Sequence, residues 1–145
     1  MKTIFTRTNS AKAILAAGAL ALAAAGLTGC ATNAEKETYY ASLTVQDPDL
    51  SAIVDGSYRG SFALKPPAGI YVANSSVEVE VSVVDHLYRG ITVLTKSVAG
   101  WPSLAKLRDL IRERQTLQVD GLSGATSLTG KAYLKAVENA LTARR

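Results

Sequence analysis

The sequence predicts an α+β fold: a small antiparallel sheet with two main helices packed on one side. Three observations predict it. Val77, Val79, Val81 and Val83 alternate with Ser76, Glu78, Glu80 and Ser82, the period of a strand with one buried face. Leu104, Leu107, Leu110 and Ile111, and later Ala132, Tyr133, Ala136, Val137, Ala140 and Leu141, recur at helical spacing. The elements run strand, strand, strand, helix, loop, helix, which segregates the helices from the sheet.

Each element has its own local warrant. Tyr58, Gly60, Phe62 and Leu64 fall on alternate positions and give the first strand. Pro66-Pro67-Ala68-Gly69 ends it. The valine alternation gives the second strand, with β-branched residues inward and charges outward. A turn is expected near Asp85-His86, with Arg89 to Leu94 returning as the hairpin partner. Gly100-Trp101-Pro102-Ser103 stops the sheet and starts the first main helix, whose polar positions are Lys106, Arg108, Arg112 and Glu113. The second main helix is expected to begin near Thr129. No internal repeat is present.

The first 29 residues read as a targeting segment. Lys2, Arg7 and Lys12 precede an Ala/Leu-rich run from Ala13 to Leu27, and Leu27-Thr28-Gly29-Cys30 follows. A basic start, an apolar stretch and a small-residue cleavage site make a secretory signal. The apolar run is shorter than the roughly 20 residues of a bilayer-spanning helix, the competing reading. Leu-Thr-Gly-Cys resembles the bacterial lipobox, which implies cleavage before Cys30 and lipidation of its sulfur. Residues 30–51 then form a lipidated cysteine and a mostly polar tether, with Leu43, Val45 and Leu50 available to clip it to the domain. Residues 52–145 form the folded domain.

Composition excludes several classes. Cys30 is the only cysteine, so an intramolecular disulfide is impossible, as are metal sites built on several thiolates. The formal net charge of +4 is largely a property of the signal. Of the 16 basic residues, three lie in residues 1–29 with no acid beside them, which leaves 13 against 12 acids, a net of +1. That balance removes the electrostatic footprint expected of a nucleic-acid binder. The 116 residues left from 145 after removal of 29 suffice to bury roughly 65% of the unfolded surface in one core. One histidine and a lipidated cysteine do not assemble a Ser/His/Asp or Cys/His nucleophile set. His86 falls in the expected hairpin turn, where an exposed histidine is the simpler reading than a ligand or base.

The chemistry concentrates in Asp120-Gly121-Leu122-Ser123-Gly124-Ala125-Thr126, at the end of a polar loop and just before a helix. Gly124 and Ala125 allow a bulky group to approach the backbone. The first amides of the helix are unpaired by geometry, and its dipole favours an anion there. Lys131 either adds positive charge or faces water. The same residue types also serve as ordinary helix caps, and Asp120 as a turn carboxylate.

This heptapeptide resembles the attachment motif of the FMN-binding domain family, which carries flavin on a threonine through a phosphoester bond. That domain occurs in sodium-pumping NADH:quinone reductase, in Rnf-type electron-transport complexes and in extracytoplasmic flavoproteins. Its motif reads Asp-x-x-Ser-Gly-Ala-Thr, followed shortly by Ser or Thr. Asp55-Gly56-Ser57-Tyr58-Arg59-Gly60 resembles the family's opening Asp-Gly-Thr-Tyr-x-Gly. Val77 to Leu94 resembles its central hairpin, and Arg114-Gln115 through Val119-Asp120 its lead-in.

The resemblance implies FMN bound covalently to Thr126, with Asp120, Ser123, Gly124 and Ala125 shaping the loop. Ser127 or Thr129 would be the hydroxyl partner, since this chain has one extra residue before Lys131. Trp101 is either a stacking surface for the flavin ring or a core anchor. The implied partners are a flavin transferase that uses FAD, acting outside the cytoplasm, unidentified redox donor and acceptor proteins, and the membrane through the lipid anchor. The implied role is an electron-transfer module on the cell membrane or outer membrane rather than a stand-alone enzyme. The alternatives are a non-redox lipoprotein binding module holding flavin or another ligand non-covalently, and a structural envelope lipoprotein.

Overall fold

A computed structural model describes residues 32–119 and 127–143. Three strands, β1 (Gly56–Ala63), β2 (Ser76–Val84) and β3 (Leu87–Val93), form an antiparallel sheet in the order β1-β2-β3. Helices α2 (Pro102–Arg114) and α3 (Leu128–Thr142) pack against it. The architecture is the α+β fold that the alternation and helical spacing predict. Within the segment expected to tether the domain, Asn33–Ser42 forms a further helix, α1.

The strand pattern explains the core. Val77, Val79, Val81 and Val83 are all fully buried. Register places Tyr58, Gly60 and Phe62 of β1 beside Val81, Val79 and Val77, so one face of both strands points inward. Leu64 continues that face beyond β1 and is buried, its amide bonded to the Ser75 carbonyl. Pro67 to Ile70 then makes a turn closed by the Ile70 amide on the Pro67 carbonyl, with Gly69 at φ 89° as the third residue of a type II turn requires. The hairpin between β2 and β3 is tighter than expected. Asp85 and His86 both have positive φ, 55° and 59°, the geometry of a two-residue type I′ loop. Pairing therefore resumes at Leu87, and Tyr88 is already in the core.

Gly60 sets the distance between sheet and helix. A β-carbon there would lie 2.3 Å from both the Ala136 carbonyl oxygen and the Ala140 amide nitrogen of α3. The small residues Ala132, Ala136 and Ala140 let α3 settle on β1 and β2, and all three are buried. α2 begins as its sequence predicts, with Trp101 at the cap position and Pro102 at the first turn. Leu104, Leu107 and Ile111 are its buried stripe, and Leu110 packs at the edge.

The N-terminal segment is tied to the domain along its length. Leu43 and Leu50 pack on the core and Val45 belongs to it. The Asp47 carboxylate accepts from the Thr116 hydroxyl at 2.6 Å and from the Leu117 amide. The Gln118 side-chain amide donates to the Val45 carbonyl at 2.8 Å. Glu138 of α3 accepts from the Gln46 amide at 3.1 Å and pairs with Lys135 at 2.9 Å. Among the described residues, no helix is long and apolar enough to cross a membrane.

Candidate functional site

Asp120, Ser123, Gly124, Ala125 and Thr126 lie outside the described residues, as does Cys30. What the structure describes is the frame on both sides of the loop. Val119, the last described residue before it, is fully buried, and its amide bonds the Leu117 carbonyl at 2.9 Å. Ser127, the first residue after it, is the N-cap of α3. Thr126 is therefore the residue directly before a helix cap.

Ser127 caps by the usual chemistry. Its hydroxyl accepts from the Gly130 amide at 2.9 Å. The Lys131 amide makes the first backbone bond of the helix, to the Ser127 carbonyl at 3.0 Å. The Leu128 and Thr129 amides precede that bond and have no acceptor within the helix. Two N–H groups and the positive end of the α3 dipole thus stand immediately after Thr126.

The two hydroxyls weighed as the partner of Thr126 are placed differently. Ser127 supplies the cap, whereas Thr129 lies in the first helical turn and is 5% exposed. Lys131 does not face water: it is 4% exposed and its ammonium lies 4.8 Å from the centroid of the Tyr40 ring of α1. A cation over an aromatic face is stabilised by the ring quadrupole. Trp101 stands at the start of α2, half-buried and packed against the core.

A cleft of about 290 Å³ lies between β3, α2 and α3. Ile91, Val93, Leu104, Arg108 and Tyr133 line it, together with Ala99, two residues before Trp101. Tyr133 is fully buried, and its hydroxyl has no hydrogen-bond partner among the described residues. Burial holds its proton well above the ordinary phenol range, with the Arg108 charge opposing. Sequence reasoning counted Tyr133 only as part of an apolar stripe. A tyrosine at such a position carries a polar atom that periodicity does not register.

The opening motif has a structural explanation in its two end residues. Asp55 accepts from the Asp85 and His86 amides at 3.0 and 3.4 Å, which braces the left-handed hairpin loop. Those amides hold its carboxyl below the usual carboxylate range, the Asp85 bond most. His86 is an exposed turn residue, and its Nδ1 lies 3.1 Å from the carbonyls of both Leu50 and Ile53. Carbonyls only accept, so Nδ1 carries the proton. The histidine is engaged as a brace. Among the described residues, no three His, Cys, Asp or Glu side chains gather where a metal could bind.

Compared with known proteins, the chain matches no family model, no curated protein and no solved structure.

Proposed function

We propose that this chain is a lipid-anchored, extracytoplasmic flavoprotein that carries FMN on Thr126 and relays electrons between partner proteins. The observation that carries the reading is the complete Asp120–Thr126 match set directly before the cap of α3. The phosphate of a phosphoester at Thr126 would adjoin the Leu128 and Thr129 amides, and a helix N-terminus suits an anion. Asp120, Ser123, Gly124 and Ala125 would shape the loop, and Ser127 would hold the helix start in place. Trp101 and the cleft beside α2 offer apolar surface for the ring, with Arg108 as the cation at its edge.

FMN supplies the redox chemistry when bound; the protein supplies attachment, orientation and electrostatics. The chain is then the substrate of a flavin transferase that breaks the pyrophosphate bond of FAD, joins its FMN half to the threonine oxygen as a phosphoester and releases AMP and the hydroxyl proton; the chain turns over no substrate itself. A covalent link suits a cofactor held outside the cell, where lost flavin would be diluted away. Lipidation at Cys30 would hold the module on the cell membrane or outer membrane.

Fluorescence of a denaturing gel tests the reading after co-expression with a flavin transferase. The wild-type band should fluoresce, and the Thr126→Ala band should be dark with the melting temperature unchanged. A dark wild-type band that leaves flavin in the soluble fraction would favour a non-covalent binding module. A fluorescent Thr126→Ala band would move the attachment to Ser127 or Thr129.

A further inference from the structure

The start of α1 stands next to the proposed anchor. Thr32 is two positions after Cys30, and two steps of extended chain span at most about 7 Å. Thr32 caps α1 reciprocally: its side chain accepts from the Glu35 amide, and the Glu35 carboxylate accepts from the Thr32 amide at 2.6 Å. The helix therefore begins almost at the acylated residue. At its other end the helix is fixed to the domain. The Tyr39 hydroxyl accepts from the Lys65 amide at 2.9 Å, and Tyr40 lies under the Lys131 ammonium. A domain held this way has one region that must lie near the bilayer.

That region carries an apolar groove of about 460 Å³ between α1 and the loop joining β1 to β2. Ala34, Thr38 and Ser42, spaced four apart along one side of α1, form one wall, and Pro67, Ala68 and Ile70 form the other. The groove starts at Ala34, two residues from the cap. The same loop presents Tyr71, an 85% exposed aromatic directly after Ile70. Tyrosine is enriched where membrane meets water, because one end of its ring is apolar and the other polar. Exposed Lys36 and Lys65 on the same two elements are balanced by exposed Glu35 and Glu37 of α1, so the face is close to neutral.

We propose that this groove, with Tyr71 beside it, is the face that lies against the lipid surface of the leaflet holding Cys30. The proposal rests on the lipid-anchor reading and adds an orientation to it. The bilayer is the occupant because the chain length outside the helix leaves no room for the groove's near end to stand off from it. Seated this way, the domain has a fixed side toward lipid and keeps its other faces for protein partners.

The test uses the processed, acylated full chain in vesicles of phosphatidylcholine and phosphatidylglycerol that contain a lipid with a nitroxide just below the headgroup. Acylation occupies the only native thiol, so Tyr71→Cys can be labelled at one position with an environment-sensitive fluorophore. Glu113→Cys, at an exposed position of α2, is the reference. Ala68→Cys, also exposed, is a second probe of the groove and guards against a folding defect in the first.

The fluorophore at positions 71 and 68 should be quenched at least twofold, while position 113 is unaffected. Equal, slight quenching at all three positions on vesicle-bound, acylated protein would overturn the orientation and leave the anchor standing. A mature chain whose mass shows no acyl group and which does not float with the vesicles would remove the anchor and the proposal together.

Discussion

Gln115 lies in the left-handed region at φ 56°, and its side chain explains why a long amide sits where glycine would be easier. Its carbonyl oxygen accepts from the Tyr88 amide at 2.7 Å, and its nitrogen donates to the Tyr88 carbonyl at 3.2 Å and to the Arg112 carbonyl at 2.6 Å. One side chain thus satisfies the backbone of β3 where the sheet has an edge, and closes α2 as well. Tyr88 and Tyr133 show the opposite case, buried hydroxyls that find no partner among the described residues. Removing such a hydroxyl removes a desolvation cost, so Tyr133→Phe should leave stability at pH 7 equal or higher by about 1 kcal/mol. The same substitution should alter the alkaline response. Burial raises the Tyr133 pKa in the folded state, so its contribution is complete below the unfolded phenol value of about 10 and is lost as pH climbs above it. Urea midpoints at pH 7 and pH 10.5 check both points: Tyr133→Phe should lose less between them than wild type. A loss of more than about 1 kcal/mol at pH 7 would mean that the hydroxyl is bonded after all.

At the scale of elements, the contact of β1 with α3 depends on a missing side chain. A methyl at position 60 would strike backbone atoms of α3 at 2.3 Å, and backbone cannot rotate away. Gly60→Ala should therefore push α3 off the sheet and cost roughly 1–3 kcal/mol or more, as overpacking does. Thermal melting and amide exchange in α3 would show it, and an unchanged melting temperature would contradict the packing described. This dependence was only half legible in the sequence. Alternation placed Gly60 on the inward face, but nothing in a single strand says what will lie against it. The valine strand was fully legible because its period is unambiguous, and α3 because its stripe is continuous. Helix α1 was not read: Asn33 to Ser42 has no buried stripe, and none of its residues is buried. Its one local signal was the Thr32/Glu35 spacing of a capping box. Lys131 was open between adding positive charge to the site and facing water, because its aromatic partner is about 90 residues away in the chain.

For the whole molecule, the two proposed attachments are joined through one short path. Tyr40 stands eight residues from Thr32, about 12 Å of helical rise. Lys131, under whose ammonium that ring lies, belongs to the first turn of α3. The turn proposed to follow the flavin is thus tied to the helix proposed to follow the lipid. The candidate site was legible in sequence as a motif, because its residue types are few and contiguous. Its surroundings were not, because the Ser127 cap and the buried Thr129 open α3, whereas the cleft at Arg108 also draws on β3 and α2, which lie elsewhere in the chain. The central claim is that Thr126 is the flavin carrier, and peptide mass spectrometry tests it most directly. Protein co-expressed with a flavin transferase should yield a peptide spanning Asp120–Lys131 heavier by one FMN less water, with fragmentation placing the group on Thr126. The same peptide recovered only at its unmodified mass, from cells in which the transferase flavinylates a control substrate, would contradict the account.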